Sequence, residues 1–234
     1  MTTALKALAV LGGLLGMIPT AAAAPPELFG TIEFRAESLA ALPQWQRTLQ
    51  RIDRERGIYQ ACSRSATACP SPGVMAWQAM LSGEVGRAPL DQLQAVNRFL
   101  NNWRYKADAQ NYGQRDYWAT PLEFLRQSGD CEDYAIAKYV SLRQLGFRAE
   151  HLRMVVVRDV VRDLAHAVLA VYLDDQVYIL DNLTRAVLPQ EQLTHYVPYY
   201  SINETTRWAH VAPADTLVSS AANRDRSVPS VGSR

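Results

Sequence analysis

The stretch Gly129-Asp130-Cys131-Glu132-Asp133-Tyr134 joins two predicted helices, and the interpretation of the rest of the chain depends on it. A glycine is typical of the end of a helix, and an aspartate is a favoured N-cap for the next one. Cys131 therefore stands in the first turn of the second helix, where the helix dipole favours a thiolate. The stretch predicts a nucleophilic cysteine at a helix N-terminus, surrounded by carboxylates.

The chain before this stretch is mostly predicted to be helical, and the chain after it is predicted to form strands. Apolar residues recur at helical spacing in residues 43–56, 74–81 and 90–105. Thr120-Pro121-Leu122-Glu123 is a capping-box pattern that begins a short helix, and the cysteine helix ends at Gly146. Strands are predicted for residues 152–157, 166–173 and 176–180. We expect an α+β domain over residues 25–212, with N-terminal helices packed on an antiparallel sheet.

A tight hairpin turn at Asp174-Asp175 would decide which histidine can serve the cysteine. With a two-residue turn, Val168 lies opposite Asp181, and side-chain alternation places His166 and Asp181 on one face. These two are then diagonal neighbours about 7 Å apart, a separation that side chains can bridge. A histidine on a strand can also be a hydrogen-bonded structural residue. With the carboxylate at this position, however, the pattern predicts a Cys131-His166-Asp181 triad.

The three cysteines of the chain divide into a pair and a single residue. Cys62 and Cys69 flank a short polar loop, and we interpret them as a disulfide, as suits an exported protein. Cys131 is left over, which suggests reactivity or intermolecular pairing. An inert buried cysteine is the alternative, but burial of the neighbouring carboxylates without partners would be costly.

The N-terminus has the features of a secretory signal peptide. Lys6 is followed by an apolar run and an alanine-rich end, which predicts removal of residues 1–23. The run is too short for a spanning helix, so the alternative of an uncleaved membrane anchor is disfavoured.

The chain has 24 Lys and Arg against 23 Asp and Glu, and loss of Lys6 leaves the mature form neutral. Neither nucleic acid binding nor membrane insertion of the mature form is predicted. Residues 213–234 are expected to be a disordered tail.

The carboxylates of Asp130, Glu132 and Asp133 allow two interpretations. Acidic residues are common in the first turn of a helix, where they stabilise the N-terminus. Alternatively, they can supply part of the oxygen shell of a hard cation such as calcium, although no EF-hand pattern is present. A bound cation would neutralise charges that otherwise oppose formation of a thiolate at Cys131.

The chain resembles the bacterial transglutaminase-like cysteine proteinases of the LapG type. The resemblance extends from about Trp45 to Tyr200 and depends on four segments taken together, since any one alone is weak. These segments are residues 116–121 (Asp-Tyr-Trp-Ala-Thr-Pro), 129–139 around Cys131, 166–169 (His-Ala-Val-Leu) and 180–182 (Leu-Asp-Asn).

This resemblance implies a papain-like, transglutaminase-type fold with Cys131 as nucleophile, His166 as base and Asp181 as orienting acid. It implies Ca2+ bound by Asp130, Glu132 and Asp133. It further implies a periplasmic endopeptidase that cuts a large surface adhesin near a di-alanine site in its N-terminal region, so that the biofilm disperses. The implied partner is an inner-membrane receptor for cyclic di-GMP that sequesters the protease.

Three other functions are compatible with parts of the sequence. An acyl transferase can use the same triad with an amine in place of water. A non-catalytic periplasmic binding protein can use the acidic loop as a docking surface, and a structural exported protein predicts no unusual thiol reactivity. Trp118 can line a substrate groove or donate to an oxyanion, or it can belong to the core.

Overall fold

The computed structural model of the protein describes residues 26–213. The predicted signal peptide, residues 1–23, and nearly all of the predicted tail, residues 213–234, lie outside this range. Within it, no helix is both long and apolar enough to cross a membrane.

Six helices occupy the first part of the described chain, and five of them begin at a proline or directly after a capping aspartate. They are α1 (Pro43–Arg64), α2 (Pro72–Glu84), α3 (Pro89–Leu100), α4 (Asp108–Asn111), α5 (Pro121–Gln127) and α6 (Cys131–Gln144). Proline stands at the start of α1, α2, α3 and α5, where its missing N–H costs nothing. The capping box of α5 is present, with Glu123 Oε2 accepting from Thr120 N at 2.8 Å.

The strands form a single seven-stranded antiparallel sheet in the order β1-β7-β6-β2-β3-β4-β5. They are β1 (Ile32–Ala36), β2 (Leu152–Asp159), β3 (Leu164–Leu173), β4 (Gln176–Leu180), β5 (Leu188–Pro189), β6 (Tyr196–Ile202) and β7 (Arg207–Val211). The hairpin β3–β4 pairs Leu173 with Gln176 and Leu169 with Leu180. The predicted two-residue turn at Asp174-Asp175 and its register are therefore confirmed.

The sheet has a buried cluster on each face, and α6 lies in the larger one. Leu169 and Val171 of β3 pack with Ile136 and Tyr139 of α6, together with the other helices. Alternate residues of β3, such as Val168 and Ala170, point into the smaller cluster on the opposite face. Burial of α6 against β3 brings its N-terminus, and with it Cys131, to the sheet.

The predicted α+β fold is confirmed, but the sheet also contains β5, β6 and β7, which the sequence did not predict, and several helix ends differ. Helix α1 continues eight residues past the predicted end at Arg56, because Tyr59 packs edge-on against Trp77 with ring centroids 5.3 Å apart. That packing outweighs the cost of about 1 kcal/mol for Gly57 within the helix. Cys62 thus lies in the last turn of α1, and its predicted disulfide with Cys69 is present.

Helix α3 stops at Leu100 rather than at the predicted Tyr105. Asn101, directly after it, donates from Nδ2 to the carbonyl oxygens of Asp181 and Thr184, at 2.7 and 2.8 Å. The following loop, predicted to be irregular, contains the short helix α4. The end of α3 is therefore tied to the turn that follows β4, which carries Asp181.

Candidate active site

Cys131 is the first residue of α6, as the capping pattern predicts. Gly129 precedes it at a position where a Cβ would overlap the carboxylate of Asp133. That carboxylate accepts from Asp130 N at 3.2 Å and from Ala119 N at 2.6 Å, and Asp133 is fully buried. Asp133 thus fastens the start of α6 to the segment before α5, and the thiol is fixed in place at the helix N-terminus.

His166 and Asp181 form the contact that the hairpin register predicts. His166 Nε2 lies 2.9 Å from Asp181 Oδ1, and the two side chains are 5 % and 2 % exposed. Since Nε2 is engaged with the carboxylate, Nδ1 is the ring nitrogen left for a proton from another group. This is the geometry of an imidazole whose orientation and tautomer are set by an acid.

Asp181 receives two further hydrogen bonds that the sequence did not reveal. Tyr196 donates its hydroxyl to Oδ2 at 2.6 Å, and Leu183 N donates to Oδ1 at 2.9 Å. Burial alone would raise the pKa of Asp181, but the bonds from His166, Tyr196 and Leu183 and the charge of His166 lower it below its usual value. The carboxylate is therefore kept ionised in the interior by donors of the protein itself.

The thiol and the imidazole open into the same cavity of about 250 Å3. Its walls include Trp118, Val156 and Tyr200 in addition to Cys131 and His166. A larger cavity of about 460 Å3 runs along α1 and shares Asp116 and Trp118 with it, but it contains neither thiol nor imidazole. The smaller cavity is therefore the place where a nucleophile and a base can meet a substrate.

Trp118 is both a core residue and a wall of the cavity. It is 7 % exposed within the main core, and one edge lines the cavity. Its indole Nε1 donates to Asp116 Oδ1 at 2.9 Å. This indole N–H is therefore occupied, and Trp118 acts as a wall of the cavity rather than as a free donor.

Five carboxylates converge beside Cys131, two more than the sequence indicated. Asp108, Asp130 and Asp133 offer ligand oxygens within 4.8 Å of one another, and so do Asp108, Asp116 and Glu132. The Oδ1 atoms of Asp108 and Asp130 are buried and have no hydrogen-bond partner among residues 26–213. Clustered carboxylate oxygens that lack donors are the ligand set that Ca2+ prefers. The residues present therefore fit a calcium ion.

Burial and crowding raise the pKa values of these carboxylates. Burial raises the pKa of Asp130 and of Glu132, and for Asp130 the charge of Glu132 adds to the effect. Burial raises the pKa of Asp133 to about 8, although the N–H of Ala119 opposes the shift. Burial, followed by the charge of Glu132, raises the pKa of Cys131, whose Sγ donates to Glu132 Oε2 at 3.1 Å. A divalent cation among these groups would remove the charges that work against a thiolate.

Sequence reasoning placed six candidate residues, and the structure collects all six around one cavity or directly behind it. Cys131, Glu132 and His166 line the cavity, Asp181 stands behind His166, and Asp130 and Asp133 hold the start of α6. It missed Asp108, Asp116 and Tyr196. The sequence from Tyr196 to Tyr200 is rich in aromatic residues, but nothing in it indicates which hydroxyl reaches Asp181.

The arrangement of helices on an antiparallel sheet, with a cysteine at a buried helix start and a histidine on an adjacent strand, defines a transglutaminase-like fold. Residues 49–216 match the family model of the bacterial transglutaminase-like cysteine proteinases (BTLCP). The chain belongs to this family of cysteine proteases.

Solved structures agree with this assignment. LapG of Legionella pneumophila is 28 % identical, with a TM-score of 0.56, and the match covers 73 % of this chain and 96 % of that one. The EGTA-treated and calcium-bound forms of the same protein are both 27 % identical, with TM-scores of 0.57 and 0.55. They cover 73 % and 74 % of this chain, and 96 % and 99 % of their own. A comparison with curated protein sequences finds no match. The protein is thus a LapG-type protease.

Proposed function

We propose that the protein is a calcium-dependent periplasmic cysteine endopeptidase that uses Cys131, His166 and Asp181 as its catalytic triad. The observation that carries the proposal is the 2.9 Å contact of His166 Nε2 with Asp181, next to a cavity that Cys131 shares. Membership of a cysteine protease family supplies the reaction class, and the geometry supplies the residues.

The triad performs the reaction by transferring one proton twice. Nδ1 of His166 takes the proton of Cys131, and the sulfur attacks the scissile carbonyl carbon. The imidazolium that forms is stabilised by Asp181, whose pKa is already low. His166 then gives the proton to the leaving amine, and water attacks the acyl-enzyme to release the acid and regenerate the thiol.

The negative charge on the carbonyl oxygen during this attack falls at the N-terminus of α6. The first N–H groups of a helix have no partner within the helix, and the dipole there favours negative charge. The N–H of Cys131 is such a group, because Cys131 is the first residue of α6. We assign it as one donor of the oxyanion hole.

In this proposal Asp130, Glu132 and Asp133 would hold the calcium ion, and Asp108 and Asp116 would be further ligands. When bound, Ca2+ supplies positive charge that offsets the carboxylates around the thiol. Support comes from the unpartnered oxygens of Asp108 and Asp130 and from the existence of a calcium-bound LapG structure. Asp133 also makes two backbone contacts, so it links the ion to the start of α6.

The substrate and partner that we propose follow from the LapG-type family. The substrate is a large surface adhesin, cut in its N-terminal region at a di-alanine site, so that the adhesin is released and the biofilm disperses. The partner is an inner-membrane receptor for cyclic di-GMP that sequesters the protease. The signal peptide predicted for residues 1–23 supports a periplasmic setting for both encounters.

One experiment tests protease, nucleophile and metal together. The protein without residues 1–23 is incubated with the N-terminal segment of the largest surface adhesin of the same organism. Reactions contain calcium or chelator, and Cys131→Ala replaces the wild type in a third set. We expect cleavage only with calcium and Cys131. Cleavage in chelator would remove the metal from the proposal, and cleavage by Cys131→Ala would remove the triad.

A further inference from the structure

Helix α6 contains a buried lysine that neither the fold nor the proposed reaction uses. Lys138 is 0 % exposed, and its Nζ has no hydrogen-bond partner among the residues that the structure describes. Lysine is among the residue types least often fully buried, and it is normally paired when it is. The nearest favourable contact is weak, since Nζ stands 5.8 Å from the ring centroid of Tyr134.

Lys138 shares helix α6 with the nucleophile. Seven residues separate it from Cys131, which is almost two full turns, so both side chains lie on the same face of α6. Helix α6 packs on β3, the strand that carries His166. Asp181 follows β4, the neighbour of β3, and its negative charge acts on the ammonium of Lys138.

The other charged groups on the elements that pack against α6 are occupied elsewhere. Glu123 of α5 is paired with Arg51, Arg153 of β2 with Glu33, and Asp159 of β2 with Arg162. The remaining titratable side chains of these elements are either exposed (Asp91, Arg98, Arg126 and Arg158) or engaged with another charge (Tyr172, whose ring packs on the guanidinium of Arg153). Asp181, which directly follows β4, is the carboxylate whose charge acts on Lys138.

A buried ammonium without a direct partner is a cost to folding. Burial lowers the pKa of Lys138 to about 7, and the charge of Asp181 only partly opposes this shift. Replacing a buried charge with an apolar side chain of similar volume is often neutral or stabilising. Packing alone therefore does not account for a lysine here, and a fully buried ammonium without a partner among residues 26–213, on the helix that carries the nucleophile, suggests a functional role.

We propose that Lys138 is a positioning residue of the active site, whose buried ammonium acts on the carboxylate of Asp181 and thereby holds His166 in the orientation that serves Cys131. The inference deepens the proposed protease function and rests on it. Lys138 touches neither thiol nor substrate, so it acts on the rate of the chemical step and not on substrate binding. Its positive charge also favours the thiolate of Cys131 on the same face of the helix.

The test removes the charge while keeping the volume. Lys138→Met is compared with wild type for kcat and KM on a peptide that the wild type cleaves, at fixed calcium and pH 7. We expect kcat to fall about tenfold or more, KM to stay within about twofold, and the thermal midpoint not to decrease. A kcat within twofold of wild type overturns the proposal. Lys138→Gln, scored in the same way, decides the question if the methionine variant does not fold.

A double-mutant cycle separates action through Asp181 from a general disturbance of α6. In the Asp181→Asn background, Lys138→Met should cost less than about twofold, because the carboxylate it acts on is gone. Equal losses in both backgrounds overturn the proposal. Tyr139→Phe is the matched control: it removes a buried hydroxyl of the same helix that donates to Glu204 at 3.3 Å, and kcat should be retained.

A second readout keeps this inference separate from the proposed substrate. The rate at which iodoacetamide alkylates Cys131 is measured for the same variants, with calcium present. Lys138→Met should lower this rate, and Tyr139→Phe should not. A wild type that is alkylated rapidly but cleaves no adhesin segment refutes the proposed substrate and leaves Lys138 testable. An alkylation rate unchanged by Lys138→Met refutes the role of Lys138.

Discussion

Asp181 and Asp130 are both partly enclosed carboxylates of the same site, but the protein treats them in opposite ways. Asp181 accepts hydrogen bonds from His166, Leu183 and Tyr196, and its pKa is lowered. Asp130 has an oxygen without a partner among residues 26–213, and burial and the charge of Glu132 raise its pKa. The first carboxylate has its partners within the fold, whereas the second has an oxygen that no group among residues 26–213 contacts. On the proposed function, the fold itself orients the base, and a bound cation is needed to activate the thiol.

The comparison predicts its largest effect at Asp181. Asp181→Asn keeps the shape but leaves an uncharged amide, which can present the wrong atom to His166 Nε2 and cannot stabilise an imidazolium. We expect kcat to fall by about 10³-fold or more, as for related acid-to-amide changes in catalytic triads. The measurement is steady-state cleavage across a calcium titration. The loss should be the same at every calcium concentration. Recovery at high calcium would contradict the view that Asp181 acts independently of the ion whereas Asp130 acts through it.

Removal of calcium is expected to have the next largest effect. The chelated protein should lose about 10²-fold in kcat, because the charges of Glu132 and Asp130 then oppose the thiolate. Addition of calcium should restore activity. Asp130→Asn should raise the calcium concentration needed for half-maximal activity without the loss at saturation that Asp181→Asn shows. A variant with unchanged calcium dependence would remove Asp130 from the ligand set.

A smaller effect on kcat is expected at Tyr196, which donates a hydrogen bond to Asp181. Tyr196→Phe removes one donor to Asp181, and a hydrogen bond to a charged group is worth about 1.5–3 kcal/mol. Two donors remain, so we expect kcat to fall about tenfold, with KM little changed. The control is Tyr199→Phe on the same strand, which is half exposed and should have wild-type kinetics. Equal activity of the two variants would show that the hydroxyl of Tyr196 is not needed.

The two carboxylates also differ in how far the sequence could predict them. His166 and Asp181 lie on one hairpin, so a turn length and side-chain alternation were enough to bring them together. Asp108 and Asp116 stand in a segment without periodicity, and their approach to Asp130 depends on how that segment folds over α6. Tyr196 belongs to β6, which pairs with β2 rather than with β4, and no local rule gives that order. Lys138 was missed because a charged side chain is not expected inside a helix interface.

The smallest expected effect is a dependence of stability on pH that calcium abolishes. Burial raises the pKa of Asp133 to about 8 in the folded protein, against about 3.9 for an unperturbed aspartate. The folded state therefore binds more protons than the unfolded state between these values, and stability falls as pH rises through this window. Asp181 does not oppose the trend, because its pKa is lowered and its contribution is lost only in stronger acid. Burial lowers the pKa of Lys138 to about 7 and that of His210 to about 4, so these two groups do oppose it, but neither is a calcium ligand and their effect is the same with and without the ion. We expect the thermal midpoint of the metal-free protein to rise by a few degrees between pH 8 and pH 5. With excess calcium the acids are held ionised, and that rise should disappear. A rise of the same size with and without calcium would mean that Asp133 and its neighbours do not bind the ion. The proposed difference between Asp181, which the protein's own donors keep ionised, and the carboxylates that depend on a metal would then be wrong.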